Sequence, residues 1–202
     1  MFIFNYSNII DPLLRGVRRY VPIFAGMKTG DKVLDVCCGT GDQVFYYAEN
    51  GITATGIDLN PKMIQVAQKD RRKKNFKNIS FQIADATNLP FPDNYFDFAS
   101  ISFALHEKER GVRDKIIFEM KRVVKKGEGL IFIDFKHPLP PNPLSFFIRG
   151  IERYAGKEHF ENFKDYLRQG GLQEILEKNK IRKEKREILK GEIVEMIKAR
   201  NT

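Results

Sequence analysis

The densest group of chemically capable residues lies between Asp35 and Asp42, where two acids bracket a short turn rich in glycine. The run before the turn, Lys32 to Cys37, is almost continuously apolar, which is typical of a strand buried on both faces. The residues after Asp42 have a helical pattern, so the turn joins a strand to a helix. Gly39 and Gly41 allow the backbone to bend sharply and to approach a ligand closely. This context predicts a nucleotide-binding loop.

A second acid, Asp58, closes the next predicted strand about 20 residues after Gly39, where a carboxylate can accept both hydroxyls of a ribose. A dinucleotide fold would have a third glycine in place of Val44, and its loop would have to receive a pyrophosphate. Asp35 and Asp42 would repel that anion, but they suit a ligand with an amine and a sulfonium. The sequence therefore favours S-adenosylmethionine over NAD. A P-loop is excluded, because no Gly-Lys-Ser/Thr sequence follows the turn.

Two further segments are expected at the same edge of the sheet. Asp85 and Ala86 end the third predicted strand, where the acid could accept a hydrogen bond from the exocyclic amine of adenine. Apolar side chains near them could enclose the ring, namely Ile57, Leu59, Met63 and Ala86. The segment from Ser102 to His106, which includes Phe103, leaves the fourth strand at the edge where ligands of open α/β folds bind.

Candidate catalytic and acceptor-binding residues are fewer. His106 is the candidate base, because a carbon or oxygen acceptor must lose a proton and this residue is predicted at the rim after strand four; capping or covering the cofactor is its structural alternative. Tyr6, Tyr154 and His159 are candidates for the acceptor pocket, with packing as the alternative. Apolar residues on two predicted lids favour an apolar acceptor or contact with a membrane surface: Phe2, Phe4, Tyr6, Leu139, Leu144, Phe146 and Phe147. We predict no metal-binding residues in this sequence.

Short β-type runs alternate with longer helical patterns along the chain, which predicts a parallel α/β sheet. The expected elements are helices over 8–24, 42–50, 61–74 and 108–125 and strands over 32–37, 52–57, 79–84, 95–103 and 130–135. From 144 to 178 the pattern is helical, with interruptions at Gly150, Gly156 and Gly170-Gly171. Two last segments, 180–189 and 192–198, flank Lys190-Gly191 and predict a hairpin whose final strand is antiparallel.

The length of 202 residues predicts one domain. Within this single domain, 1–202, we expect an N-terminal helical lid over 1–30 and a cofactor-binding core over 31–135. A helical insertion that covers the substrate is expected over 136–179, and a pair of strands over 180–202.

The net charge of +9 would allow a nucleic-acid or acidic membrane partner. The excess is spread over the last three quarters of the chain, so we interpret it as a solvated surface and expect no nucleic-acid partner. The two cysteines, Cys37 and Cys38, are adjacent and cannot connect distant segments, which favours a reducing compartment. We find no secretory signal and no apolar run near the roughly 20 residues of a membrane span. These features predict a soluble, cytoplasmic protein.

In their order along the chain, the motifs resemble the class I S-adenosylmethionine-dependent methyltransferases, most closely the broad group around the ubiquinone and menaquinone C-methyltransferases. The resemblance covers about half of the chain and is carried by the loop Asp35 to Asp42, Asp58, Asp85-Ala86, Leu89 to Asp97 and Glu119 to Val123 before Gly127. It implies an α/β fold, with a Rossmann-like, mostly parallel seven-stranded sheet, an antiparallel last strand and helices on both faces.

The resemblance also implies roles for individual residues. Asp35, Thr40 and the loop glycines would hold the methionine part of S-adenosylmethionine, and Asp58 would hold the ribose. Asp85 and Ala86 would hold the adenine, and the backbone at Ser102 would lie near the methyl group. Cys37 stands where the family has its first loop glycine, and a small thiol fits there if the backbone torsion is ordinary.

The acceptor is left open by the sequence. The segment Ser102 to His106 differs from the Arg-Asn sequence of quinone methyltransferases, so the sequence does not single out a quinone. The apolar lids and the activated sulfonium predict in-line transfer to a small apolar acceptor, quinone-like, lipid or other. An RNA-directed methyltransferase is one alternative, although the Asn/Asp-Pro-Pro-aromatic sequence and the separate catalytic cysteine of such enzymes are absent. An arsenite methyltransferase would need several dispersed cysteines, which Cys37 and Cys38 cannot supply. A protein that binds the cofactor without transferring a methyl group is the remaining alternative.

Overall fold

The computed structural model describes the backbone of residues 6–202 and the side chains from Leu14 onward. No helix in this described part is long and apolar enough to cross a membrane. Its elements are, in chain order, α1 (Tyr6–Ala25), β1 (Lys32–Val36), α2 (Asp42–Glu49), β2 (Thr53–Asp58), α3 (Pro61–Lys74), β3 (Ile79–Ile83), β4 (Phe96–Ser102), α4 (Arg110–Val123), β5 (Val124–Phe135), α5 (Pro143–Tyr154), α6 (Lys157–Arg168), α7 (Gly171–Lys178), β6 (Arg182–Leu189) and β7 (Val194–Arg200).

All seven strands form one sheet in the order β3-β2-β1-β4-β5-β7-β6. Strands β1 to β5 pair in parallel, and β7 is antiparallel to both β5 and β6. The predicted fold class, a mostly parallel Rossmann-like sheet with its last strand antiparallel, is confirmed. The strand order reverses between β1 and β4, and ligands of such sheets bind at the carboxyl ends of the strands at this point. Since crossovers are right-handed, helices on the two sides of the reversal cover opposite faces.

Two expectations about element boundaries are wrong. Gly150 does not interrupt a helix but lies inside α5. An isolated glycine costs a helix only about 1 kcal/mol, and α5 is held in place by burying Ser145, Ile148 and Glu152 at helical spacing. The helix expected over 108–125 does not reach residue 125 either, because α4 stops at Val123 and the chain continues directly into β5. The predicted interruptions at Gly156 and Gly170 do separate α5 from α6 and α6 from α7.

Glu119 and Arg122 on α4 hold the proline-rich loop that leads into β4. The backbone N–H of Leu89 donates to the Glu119 carboxylate at 2.7 Å. The Arg122 guanidinium donates to the carbonyl oxygens of Leu89 and Phe91, at 2.9 and 2.8 Å, and to the carboxylate of Asp93 at 2.8 Å. Two of the segments that carried the family resemblance therefore form one structural clamp, which fixes the start of β4.

Candidate cofactor-binding site

The loop from Cys37 to Gly41 follows β1 where the strand order reverses, and it is fastened to the end of β2. The backbone N–H of Cys38 donates to the carbonyl of Ile57 at 2.8 Å, and that of Gly39 donates to the Asp58 carboxylate at 2.9 Å. Gly41 has a φ of 85°, and a Cβ there would lie 2.5 Å from the Phe81 ring. Only glycine fits that position, so the loop packs directly on the sheet.

Asp58 and Asp85 stand at the carboxyl ends of two paired strands, β2 and β3. The Asp58 carboxylate accepts from the backbone N–H groups of Gly39 (2.9 Å) and Asn60 (2.8 Å). A carboxylate can accept about four hydrogen bonds. The two backbone hydrogen bonds therefore fix the orientation of Asp58 and leave it able to accept hydrogen bonds from hydroxyl groups of a ligand. Asp85 accepts from the backbone N–H and the hydroxyl of Thr87, both at 2.8 Å. These bonds lower the pKa of Asp85 and keep it charged.

A cleft of about 720 Å³ opens beside the loop. Nine of the residues predicted to contact the cofactor line it, namely Cys37, Gly39, Ile57, Asp58, Leu59, Met63, Asp85, Ala86 and Phe103. The sequence reasoning missed other lining residues, among them Asn60, Thr87, Glu107, Lys108, Val112 and Ile116. These six belong to no motif. For Asn60, Thr87, Glu107 and Lys108, the position after β2, β3 or β4 at one sheet edge was the only signal that could have indicated them. Val112 and Ile116 lie within α4.

Asp35 lies beneath the loop and does not line the cleft. The register places it beside Ser100 on β4, whose hydroxyl donates to its carboxylate at 2.6 Å. The Tyr47 hydroxyl donates in turn to Ser100 at 2.9 Å. Burial raises the pKa of Asp35 to about 7, against the opposing hydrogen bond from Ser100. Asp35 is therefore only partly charged near neutral pH.

Three other predicted residues, Thr40, Gly41 and Ser102, also lie outside the cleft lining. Gly41 is packed against Phe81, as described above. The Ser102 hydroxyl is buried and has no hydrogen-bond partner among the residues that the structure describes.

The negative charge in the cleft does not come from Asp35 and Asp42, the two acids that the sequence suggested. Asp42 forms an ion pair with Arg18 at 3.0 Å, so its charge is compensated. Of the acids that line the cleft, Glu107 pairs with Lys108 at 2.6 Å. Asp58 and Asp85 form no ion pair within the described part of the chain, and their carboxylates leave the cleft negative. A cationic ligand is favoured there and a phosphate is disfavoured.

Cys37 does not have the ordinary backbone torsion that we expected. Its φ is 56°, in the left-handed region where a side chain costs about 1–2 kcal/mol. The loop thus takes the conformation of a glycine at this position although the residue is a cysteine. Burial raises the pKa of the Cys37 thiol to about 12. The thiol is protonated at neutral pH and is unsuited to act as a nucleophile.

The predicted position of His106 at the rim is wrong. Its side chain is 1% exposed, with Nδ1 at 2.6 Å from Asp134 and Nε2 at 3.4 Å from Glu152. The chain turns inward after Phe103, so that Ala104, Leu105 and His106 are all buried. Burial opposes a charge on His106, but the two carboxylates outweigh it and raise its pKa to about 10. A histidine that is already protonated at neutral pH cannot serve as a base.

The predicted acceptor-pocket residues are not brought together at the cleft. His159 is hydrogen-bonded to Glu152, and Tyr154 is 78% exposed at the end of α5. Neither of them lines the cleft. The side chain of Tyr6, and Phe2 and Phe4 with it, lie outside the part of the chain that the structure describes.

The residues present fit S-adenosylmethionine. A Cβ at Gly39 would meet nothing within 4 Å, so the loop backbone there is open to a ligand. Asp58 is oriented by two backbone bonds, and Asp85 is charged. Apolar side chains such as Leu59 and Met63 line the same cleft and could cover a flat ring. Together with a sheet that reverses at this loop, the cleft defines a nucleoside-binding protein of the Rossmann-like class.

Comparison with known proteins gives a consistent result. A family model described as a methyltransferase domain matches residues 33–127. A demethylmenaquinone methyltransferase of Paenarthrobacter aurescens is 40% identical over 143 residues, which are 68% of this chain and 53% of that protein. One of Listeria welshimeri is 33% identical over 148 residues, 69% of this chain and 61% of that protein. The chain thus spans little more than half the length of these curated relatives.

Solved structures agree in fold. A S-adenosylmethionine-dependent methyltransferase from Aquifex aeolicus superposes with a TM-score of 0.68 at 25% identity, covering 92% of this chain and 89% of that one. A Pyrococcus horikoshii protein has a TM-score of 0.74 at 18% identity, covering 98% and 93%, and shows the fold alone. The resemblance to the class I S-adenosylmethionine-dependent methyltransferases found in the sequence is confirmed by these similarities. The methyl donor of this class of enzymes is S-adenosylmethionine.

Proposed function

We propose that the protein transfers the methyl group of S-adenosylmethionine to a small apolar acceptor, by in-line displacement. The observation that carries the proposal is the cleft in which Asp58 and Asp85, two acids without an ion pair among the described residues, face apolar walls. When bound, S-adenosylmethionine supplies a methyl group that is already activated by the positive sulfur. The protein therefore has to bind the cofactor and the acceptor, orient them toward each other and exclude water.

Each lining residue has a proposed task. The Asp58 carboxylate accepts hydrogen bonds from the ribose hydroxyls, and Asp85 and Ala86 bind the adenine. Leu59 and Met63 pack on the ring. The methionine part is placed at the open backbone of the loop, Cys37 to Gly41, above buried Asp35. Thr40 and Ser102 contribute through the position of their backbone.

The acceptor that we propose is a quinone-type ring with an apolar substituent. Phe103, Ala104, Val112 and Ile116 give the cleft an apolar wall, which disfavours a polar acceptor. The relatives described above are named for demethylmenaquinone, which makes a quinone the first acceptor to test. An RNA acceptor is disfavoured because Asp58 and Asp85 would repel its phosphates.

A carbon or oxygen acceptor also gives up a proton. We propose that Glu107, and not buried His106, accepts this proton. Glu107 lines the cleft and is partly exposed. A Glu107→Gln variant should lose turnover and keep its affinity for S-adenosylmethionine, whereas Glu109→Gln, at the start of α4, should keep both. Unchanged turnover in Glu107→Gln would remove this residue from the mechanism.

The exposed side of α5 supports contact with an anionic lipid surface, where a quinone would be found. Phe146 and Tyr154 are 68% and 78% exposed, and Phe147 is 49% exposed. Arg149 and Arg153 are exposed on the same helix. Aromatic rings next to cationic side chains are the composition that binds the interface of an anionic membrane.

This contact is tested by sedimentation with phosphatidylglycerol vesicles, with phosphatidylcholine vesicles for comparison. The Phe146→Ser/Phe147→Ser double variant should remain in the supernatant. A Phe118→Ser variant should sediment like the unmodified chain, because Phe118 is 66% exposed but lies on α4. Equal sedimentation of both variants would exclude α5 as the contact surface.

The central experiment measures transfer of a labelled methyl group from S-adenosylmethionine to demethylmenaquinone, to simple quinols and to RNA. Calorimetry with S-adenosylmethionine is run on the same preparation. We expect label in the quinone fraction and none in RNA. Label in RNA alone would overturn the acceptor, and cofactor binding without any labelled acceptor would favour the protein that binds without transfer.

A further inference from the structure

Glu152 on α5 and His159 on α6 meet His106 from the segment after β4, and we call these three side chains the histidine cluster. Their ligand-type atoms all lie within 4.8 Å of one another. His106 and Glu152 are buried, and the side chain of His159 is 21% exposed. The cluster is therefore closed on the protein side and accessible from solvent through His159.

The carboxylate oxygen Oε2 of Glu152 lies at the centre of the cluster. It is 3.4 Å from Nε2 of His106 and 2.5 Å from Nε2 of His159. Tetrahedral coordination with bonds near 2.0–2.1 Å separates two ligand atoms by roughly 3.3 Å. The first distance already has this value. A movement of less than about 1 Å by the part-exposed His159 would bring the second to it.

Each histidine also has a carboxylate at its other ring nitrogen. Nδ1 of His106 is 2.6 Å from Asp134, and Nδ1 of His159 is 3.5 Å from Glu107. Histidines that ligate a metal almost always donate their second N–H in this way, which fixes the ring and leaves the first nitrogen for the ion. His106 is hydrogen-bonded in this way to Asp134, and Glu107 lies at ion-pair distance from the corresponding nitrogen of His159.

We propose that the histidine cluster binds one divalent first-row transition ion, of the Zn²⁺ type, through His106 Nε2, Glu152 and His159 Nε2. The ion displaces to solvent the proton that His106 carries on Nε2 when the site is empty. Two imidazoles and one carboxylate are a donor set that suits Zn²⁺ and leaves one tetrahedral position for water. The ion joins α5 and α6 to the segment after β4. No short spacing in the sequence indicated such a site, because the three ligands come from separate elements.

The test uses the full chain, treated with a chelator and then titrated with Zn²⁺ in the absence of S-adenosylmethionine. We expect one equivalent to bind and the melting temperature to rise with Zn²⁺ concentration. Co²⁺ should give the visible d–d bands of a tetrahedral site. Since no cofactor or acceptor is present, the result does not depend on the proposed methyl transfer.

Variants locate the ion. Glu152→Gln and His159→Asn should weaken Zn²⁺ binding at least 10-fold, and His159→Asn carries the test if the buried Glu152 variant fails to fold. His137→Asn, which changes the one histidine of the sequence outside the cluster, is the matched control and should bind like the unmodified chain. The proposal is overturned if the unmodified chain binds no stoichiometric Zn²⁺, or if His159→Asn binds it equally well.

Discussion

The carboxylate of Asp58 accepts a hydrogen bond from the backbone N–H of Gly39 at 2.9 Å, which joins the end of β2 to the loop after β1. Its other oxygen accepts from Asn60 at the start of α3. One acid at the strand end therefore orders the loop before any ligand binds. It also leaves acceptor positions directed to the cleft that both segments line.

Replacing Asp58 should weaken cofactor binding more than it weakens the fold. For Asp58→Ala we expect a loss of about 1.5–3 kcal/mol in the binding of S-adenosylmethionine, the usual contribution of a charged hydrogen-bonding partner. Calorimetry measures it, with Asp70→Ala, a part-exposed acid on α3, as control. Unchanged affinity in a folded Asp58→Ala protein would remove Asp58 from the site.

The two glycines of the loop should respond differently to alanine. In Gly41→Ala the new Cβ would lie 2.5 Å from Phe81 at a φ of 85°, so we expect a loss of stability of about 2–5 kcal/mol. In Gly39→Ala the Cβ would meet open space, and only the torsional cost of about 1–2 kcal/mol remains. Gly39→Ala should instead lose cofactor affinity, because its methyl group would stand where the ligand approaches. Urea unfolding and calorimetry separate the two effects, and equal stability of both variants would contradict this packing.

Buried Asp35 should make stability depend on pH. Its pKa is raised from 3.8 to about 7, so between these values the native state holds a proton that the unfolded chain has released. The stability that protonated Asp35 contributes to the fold is fully present below about pH 4. It is lost as the pH rises to about 7, and the loss is on the order of 3–4 kcal/mol. Asp35→Asn keeps an oxygen for Ser100 and carries no charge, so its stability relative to the unmodified chain should rise across this window. Unfolding measured from pH 4 to 8 checks it, with the part-exposed Asp31→Asn as control, and a pH-independent difference would refute the assignment.

The clamp around Arg122 should stabilise the fold without affecting cofactor binding. Lysine keeps the charge but cannot reach the carbonyls of Leu89 and Phe91 and the carboxylates of Glu119 and Asp93 together. We expect Arg122→Lys to lose about 1–3 kcal/mol of unfolding free energy while the affinity for S-adenosylmethionine is kept. The exposed Arg72→Lys on α3 is the matched substitution. If both variants unfold at the same urea concentration, the clamp does not stabilise the fold.

Much of the cofactor region could be predicted because it depends on short segments. The glycine loop after β1, Asp58 after β2 and Asp85 after β3 each follow a run of strand-forming residues, and parallel strands place their carboxyl ends at one edge. His106 could not be placed in this way. It also follows a strand, but α5 and α6, far along the chain, bury it against Asp134 and Glu152.

The sequence by itself determined the alternation of strands and helices, the turn between β1 and α2 and the acids at the strand ends, because these depend on neighbours along the chain. Only the tertiary structure decided which acids carry charge into the cleft, since Arg18 compensates Asp42 and burial raises the pKa of Asp35. It also decided that Cys37 takes a left-handed torsion and that His106 meets Glu152 and His159. Burial and ion pairing join residues that are distant in sequence, and no local pattern records them.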